Sequence, residues 1–172
     1  MAFRAKSHEQ GRDEATGLSG VRQLIAELEK EVARSNRYGR PFCLILFHLT
    51  APTWLVPVDG DEVVIPVSLV NQFSQLLLSL TRDTDIAART HTNEFAALLT
   101  ETERHGAMVV ATRIIMALGE GTGSAQEFEM RCAIAEYPGE AGNARELWHI
   151  TRVRMLKSQP MRSQSAKLNL AG

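Results

Sequence analysis

Apolar positions along the chain fall into two kinds of pattern, and the order in which these alternate predicts a layered fold. After Ser19, a plausible N-cap, Val21, Leu24, Ile25, Leu28 and Val32 recur at helical spacing, with Glu27, Lys30, Glu31 and Arg34 off that stripe. This predicts an amphipathic helix ending near Tyr38-Gly39. Pro41 to Leu49 (PFCLILFHL) is instead continuously apolar and short, as expected of a central strand covered on both faces. Residues 51–66 break the pattern with three prolines, Gly60 and the acidic Asp59, Asp61 and Glu62, and read as an irregular excursion. Leu69, Val70, Phe73, Leu76, Leu77 and Leu80 predict a second helix, which Pro66 helps start. Two short runs, Ile86 to Arg89 and Phe95 to Leu99, flank His91-Thr92-Asn93 and predict a β-hairpin with its tip at 91–93. A third helix is expected over about 103–118, stopping before the glycines between Gly119 and Gly123. Phe128, Met130, Cys132 and Ile134 alternate as in a strand, and Ala144 to Leu156 predicts a last helix.

Helix, strand, helix, hairpin, helix, strand, helix is the order of an α/β sandwich in which helices cover a mostly antiparallel sheet. One domain over 13–158 is expected, with a flexible lead-in at 1–12 and a loose tail at 159–172. The chain of 172 residues suits a single core, and its hydrophobic share of 44% with a net charge of −1 excludes a disordered or polycationic protein. Neither nucleic-acid binding nor a membrane segment is therefore expected. Cys43 and Cys132 lie in apolar runs without zinc-like spacing and read as buried thiols of a cytoplasmic protein.

Several segments resemble the GGDEF (diguanylate cyclase) family, in the family's own order. Asp13-Glu14-Ala15-Thr16-Gly17-Leu18 with Arg22 resembles its opening D-x-L-T-G-L-x-N-R, and Arg37-Tyr38-Gly39-Arg40-Pro41 its R-Y-G-R-P lead into the first strand. Ile86 to Arg89 with Asn93-Glu94-Phe95-Ala96 is similar to the signature hairpin, and Ala133 to Pro138 (AIAEYP) to the later G-V-A-x-Y-P strand. The resemblance implies a nucleotidyl-cyclase-like fold with a ferredoxin-like core.

It also exposes departures. The family brings the substrate triphosphate against glycine backbone and holds magnesium with carboxylates, because that cation takes hard oxygen ligands and only glycine allows so close an approach. Here the signature reads His91-Thr92-Asn93-Glu94-Phe95, and the family's two strand aspartates align with His48 and Thr50. Its guanine-reading Asn and Asp have no counterpart in 51–66, nor its phosphate-binding Lys and Arg in KSQPMRSQ. With metal, base and phosphate contacts all missing, no catalytic residue, metal or cofactor is expected and cyclase activity is expected to be lost.

What the resemblance keeps is a regulatory pattern. Arg82-Asp83-Thr84-Asp85 is an R-x-x-D sequence separated from His91 by five residues, as in the family's inhibitory cyclic di-GMP site, and Arg113 matches the arginine that completes it, with Arg104 as a weaker substitute. An arginine fork suits guanine O6 and N7 or phosphate, while a carboxylate can accept the N1 and N2 hydrogens. The plain alternative is a solvated pair at a helix-to-strand turn.

His48 has no metal partners at fixed spacing, and a histidine bonded to backbone is the simpler reading. His91 and Glu94 need not be an acid-base pair, and the spacing of Asp59, Asp61 and Glu62 does not fit a calcium loop. Trp54, Leu55 and Val56 suit either a partner contact or a plug for the vacated pocket. The expected function is a non-catalytic cyclic di-GMP receptor acting through Arg82, Asp85 and Arg113, signalling to a protein partner or a second copy. The alternative is a ligand-free docking module.

Overall fold

The computed structural model describes residues 12–51, 65–121 and 128–162. The lead-in before Arg12, most of the excursion (with Trp54, Leu55, Val56, Asp59, Asp61 and Glu62) and the tail from 163 lie outside the described residues. The elements are β1 (Ser19–Gly20), α1 (Val21–Tyr38), β2 (Phe42–Thr50), α2 (Val67–Leu80), β3 (Ile86–Arg89), β4 (Glu94–Leu99), α3 (Arg104–Gly121), β5 (Glu129–Tyr137), α4 (Ala144–Lys157) and β6 (Met161–Arg162). They build one sheet in the order β1-β3-β4-β2-β5-β6, antiparallel except where β1 meets β3. From β2 to β5 this is the ferredoxin-like arrangement that the resemblance implies.

β2 is central, paired along its length with β4 and β5, and helices cover both faces. Its alternating side chains therefore enter two cores. Cys43, Ile45, Phe47 and Leu49 pack with Leu69, Phe73 and Leu77 of α2 and Ala107, Ile114 and Leu118 of α3. Phe42, Leu44 and Leu46 pack with Leu24 and Leu28 of α1 and Leu147 and Met155 of α4. Double coverage is why the strand reads as an unbroken apolar run. The same alternation turns His48 toward the α1 and α4 side.

Four details differ from the sequence reading. Ser19 is not the N-cap of α1, because its backbone pairs with Ala88 as part of β1, and Gly20 caps instead without a side-chain bond. The buried line of α1 is Leu24, Leu28, Glu31 and Ser35, while Val21 and Ile25 stay 37% and 46% exposed. That line keeps helical spacing but includes polar residues, so a stripe drawn from hydrophobicity alone is rotated away from the sheet. Glu31 is tolerated there beside Arg34, and burial pushes its carboxyl above the ordinary range. Finally, α3 runs through Gly119, and sheet pairing reaches Arg162, past the expected limit at 158.

The motif-like segments at the chain's start have structural explanations. Asp13 accepts from the Thr16 amide (2.9 Å) and hydroxyl (2.8 Å), and Gly17 at φ 72° closes the turn on the Asp13 carbonyl. Gly39 at φ 68° ends α1 with its N–H on the Ser35 carbonyl, just before β2.

Candidate functional site

The signature hairpin stands where β3 and β4 meet, with His91 and Thr92 exposed at its tip. Thr90 and His91 both donate to the Glu94 carbonyl, and Leu49 donates to that of Asn93 (3.0 Å), so β2 buttresses the tip from the other side. The Arg89 guanidinium donates to the Thr92 carbonyl (2.8 Å) and lies 3.5 Å from Asp13, which ties the opening turn to the hairpin. Phe95, opposite Arg89 in the register, lies on the same face beneath its guanidinium, fully buried against Phe73.

On the α1 and α4 side, the sheet register sets His48 between Glu94 on β4 and Arg131 on β5. Two contacts from α4 complete this row. Arg152 reaches Glu94 at 3.6 Å, and Arg131 donates to the Leu156 and Ser158 carbonyls at the helix C-terminus. Among the described residues His48 Nδ1 is buried without a hydrogen-bond partner, so that nitrogen is not held by backbone in the way the sequence suggests. Burial holds its imidazole below the usual histidine range, against the opposing pull of Glu94. Thr90 Oγ1 and Gln23 Oε1 are likewise buried and unpartnered.

Magnesium prefers six hard oxygens in octahedral array. This row supplies an imidazole and a carboxylate already paired with Arg152, beside the cation of Arg131. The donor set does not fit that metal. Among the described residues, no group of three His, Cys, Asp or Glu side chains is placed to hold any metal. Cys43 and Cys132 are free, and burial pushes both thiols up to about 12, too high for nucleophiles at neutral pH.

The second candidate lies in the turn from α2 to β3. Asp85 meets Arg82 through the backbone, with Oδ2 accepting the Arg82 N–H at 2.9 Å, and no Arg82–Asp85 ion pair forms. Asp85 Oδ1 accepts from the Thr100 amide (3.0 Å) and its hydroxyl (3.4 Å) at the end of β4. The Arg82 side chain is exposed and without a partner among the described residues, as is that of Arg113 midway along α3. Arg104 is committed elsewhere: its guanidinium pairs with Glu140 at 2.7 Å and its amide bonds Glu136. Arg131 and Arg152 escape sequence reasoning, because only the register of β5 and the docking of α4 bring them beside His48.

A family model described as diguanylate cyclase, GGDEF domain, matches residues 60–159. The chain belongs to the GGDEF family. Solved structures agree on the fold. The GGDEF domain of Pseudomonas aeruginosa TpbB (YfiN) superposes with a TM-score of 0.72 at 20% identity, over 84% of this chain and 86% of that one. The GGDEF domain of DgcB from Caulobacter crescentus, solved in complex with cyclic di-GMP, gives 0.72 at 14% identity over 91% of each chain. That of FimX from P. aeruginosa gives 0.67 at 16% identity, over 84% of this chain and 91% of that one. No sequence among curated proteins matches. Among the described residues of this GGDEF domain, no helix is long and apolar enough to cross a membrane.

Proposed function

We propose that this GGDEF domain is a non-catalytic, cytoplasmic receptor for cyclic di-GMP, which it binds through Arg82 and Arg113 beside the turn held by Asp85. The observation that carries the reading is the contrast between the two candidate sites. At the hairpin, Glu94 is neutralised by Arg152, and His48 and Asn93 stand where the family places metal-binding carboxylates. Arg82 at the α2–β3 turn and Arg113 on α3 are exposed, and among the described residues neither guanidinium has a protein partner. A free guanidinium has five donors for guanine O6 and N7 or for phosphate. The complex of the DgcB GGDEF domain with cyclic di-GMP makes the ligand class a natural one for this fold.

Isothermal titration with cyclic di-GMP, with GTP plus magnesium as control, tests the reading. Binding of cyclic di-GMP alone, weakened by about 1–3 kcal/mol in Arg82→Ala, is expected for loss of a bidentate contact. Silence toward cyclic di-GMP, or turnover of GTP, overturns it.

One observation favours the alternative of a docking module. α2 carries no charged residue, and its exposed Val67 and Leu78 belong to the same layer as exposed Met108, Val109 and Met116 on α3. A protein partner or second copy meeting this layer would bind without cyclic di-GMP and be indifferent to Arg82→Ala.

A further inference from the structure

Charge is distributed unequally between the helical layers. α2 carries none, whereas four of the five charged residues of α4 are cations, Arg145, Arg152, Arg154 and Lys157 against Glu146. α1 and α4 cover the same face of the sheet, and the start of α1 and the end of α4 share its hairpin end. There β1 leads into α1 from its pairing with Ala88 and Arg89, while Arg152 reaches Glu94 and Arg131 holds the Leu156 and Ser158 carbonyls. Val21, Ile25 and Leu156 are exposed at this end, Leu156 at 53%. Beside them Arg22 and Lys157 are exposed and have no partner among the described residues. The nearby carboxylates are already paired within the fold, Asp13 with Arg89, Glu94 with Arg152 and Glu129 with Arg162. The exposed Glu14 of the opening turn is offset by the exposed Arg12.

We propose that this end of the α1–α4 layer is a docking surface for an acidic amphipathic segment of a protein partner, whose apolar side chains cover Val21, Ile25 and Leu156 and whose carboxylates pair with Arg22 and Lys157. Val21 and Ile25 stand one helical turn apart, the spacing at which a helix laid along them presents its own anchors. Charge complementarity selects an acidic partner, because a basic or neutral segment would cover these cations without supplying counter-ions. An anionic membrane has the same sign but is read by clusters of about four to eight cations, whereas Arg89, Arg131, Arg152 and Arg162 are already held by carboxylates or carbonyls of the fold. Arg152 links the surface to the hairpin, since a partner carboxylate on α4 competes with Glu94, 3.6 Å away, for its guanidinium. α3 and its Arg113 lie on the opposite face of the sheet, so the proposal stands apart from the receptor reading and the two sites can be filled together.

The probe is a synthetic helical peptide with leucine at i, i+3 and i+4 spacing and glutamate on its other face, titrated into the full chain with amide chemical shifts as the readout. The same peptide with lysine in place of glutamate, and vesicles of phosphatidylglycerol, are the comparisons. Saturable shifts confined to the first turns of α1, the last turns of α4 and the start of β4 are expected, and they should weaken with rising salt. The paired change Arg22→Glu and Lys157→Glu should lower the affinity by about tenfold or more. Leu156→Ser, which leaves the charge untouched, should lower it by about tenfold through the lost apolar contact. Both variants change exposed side chains, so the amide spectrum away from the surface should stay as in the wild type. No shifts with the glutamate peptide, equal binding of the lysine peptide or shifts centred on α2 and α3 overturn the proposal, and binding to the vesicles without binding to the peptide assigns the surface to a membrane instead.

Discussion

Phe95 ends the signature segment, and its packing predicts that its role is wholly structural. The side chain is fully buried, with its ring 4.8 Å from Phe73 at 65°, and Phe73 stands 5.3 Å from Phe47 at 71°. Edge-to-face contacts of this kind add to the area term. Truncation to alanine in a packed core costs about 3–5 kcal/mol. β2 and β3 hold β4 on both sides, so the site cannot collapse around the void, and a value near 4 kcal/mol is expected. Against a total stability of about 5–15 kcal/mol this is a large share, and at roughly 2–4 °C per kcal/mol it lowers Tm by about 10 °C. Urea denaturation followed by circular dichroism measures it directly, with an unchanged m-value expected. Phe95→Leu should cost less than about 1.5 kcal/mol, and His91→Gly, at the exposed tip, less than about 0.5 kcal/mol. A Phe95→Ala cost under about 1 kcal/mol, or one smaller than that of His91→Gly, would refute the division of this segment into a core anchor and a free tip.

Three further outcomes follow from the site. The folded state favours neutral His48, so between its lowered pKa and 6.5 the unfolded chain binds more protons: its contribution is fully present above about pH 6.5 and is lost as pH falls through the folded value. Denaturation curves across pH 5–7 should show this loss, and His48→Gln should flatten it. Arg131→Ala removes a cation from two carbonyls at the end of α4 and should cost about 1–2 kcal/mol, discounted for partial exposure, with faster amide exchange in the last turn; equal stability of the two proteins would contradict it. The triple change His91→Gly, Thr92→Gly, Asn93→Asp should produce no cyclic di-GMP from GTP and magnesium, since His48 and the Arg152–Glu94 pair remain. Product formation by that variant would show that the strand position does not limit the chemistry.

How much was legible in the sequence depended on whether a residue's role is local. The helical runs, the apolar β2 and the hairpin around His91-Thr92-Asn93 were readable because period and turn chemistry are properties of neighbours in sequence. The α1 stripe was right at Leu24, Leu28 and Val32 but missed Glu31 and Ser35, which are polar and whose inward facing only docking on the sheet shows. Ser19 and Met161 likewise revealed their pairing only through distant strands, Ala88 on β3 and Met130 on β5.

The site divides in the same way. The R-x-x-D spacing and the altered signature stand in the sequence, and with them the family. Asp85 also accepts from the amide of Thr100, fifteen residues away, a partner that nothing in the sequence pointed to. Arg131 and Arg152 became neighbours of His48 and Glu94 through the β5 register and the seat of α4. Sequence alone determined which chemical groups this GGDEF domain has and which it lacks. The tertiary structure decided which of them are already bonded, because a hydrogen-bonding group satisfied inside the fold can reach a ligand only by breaking what holds it.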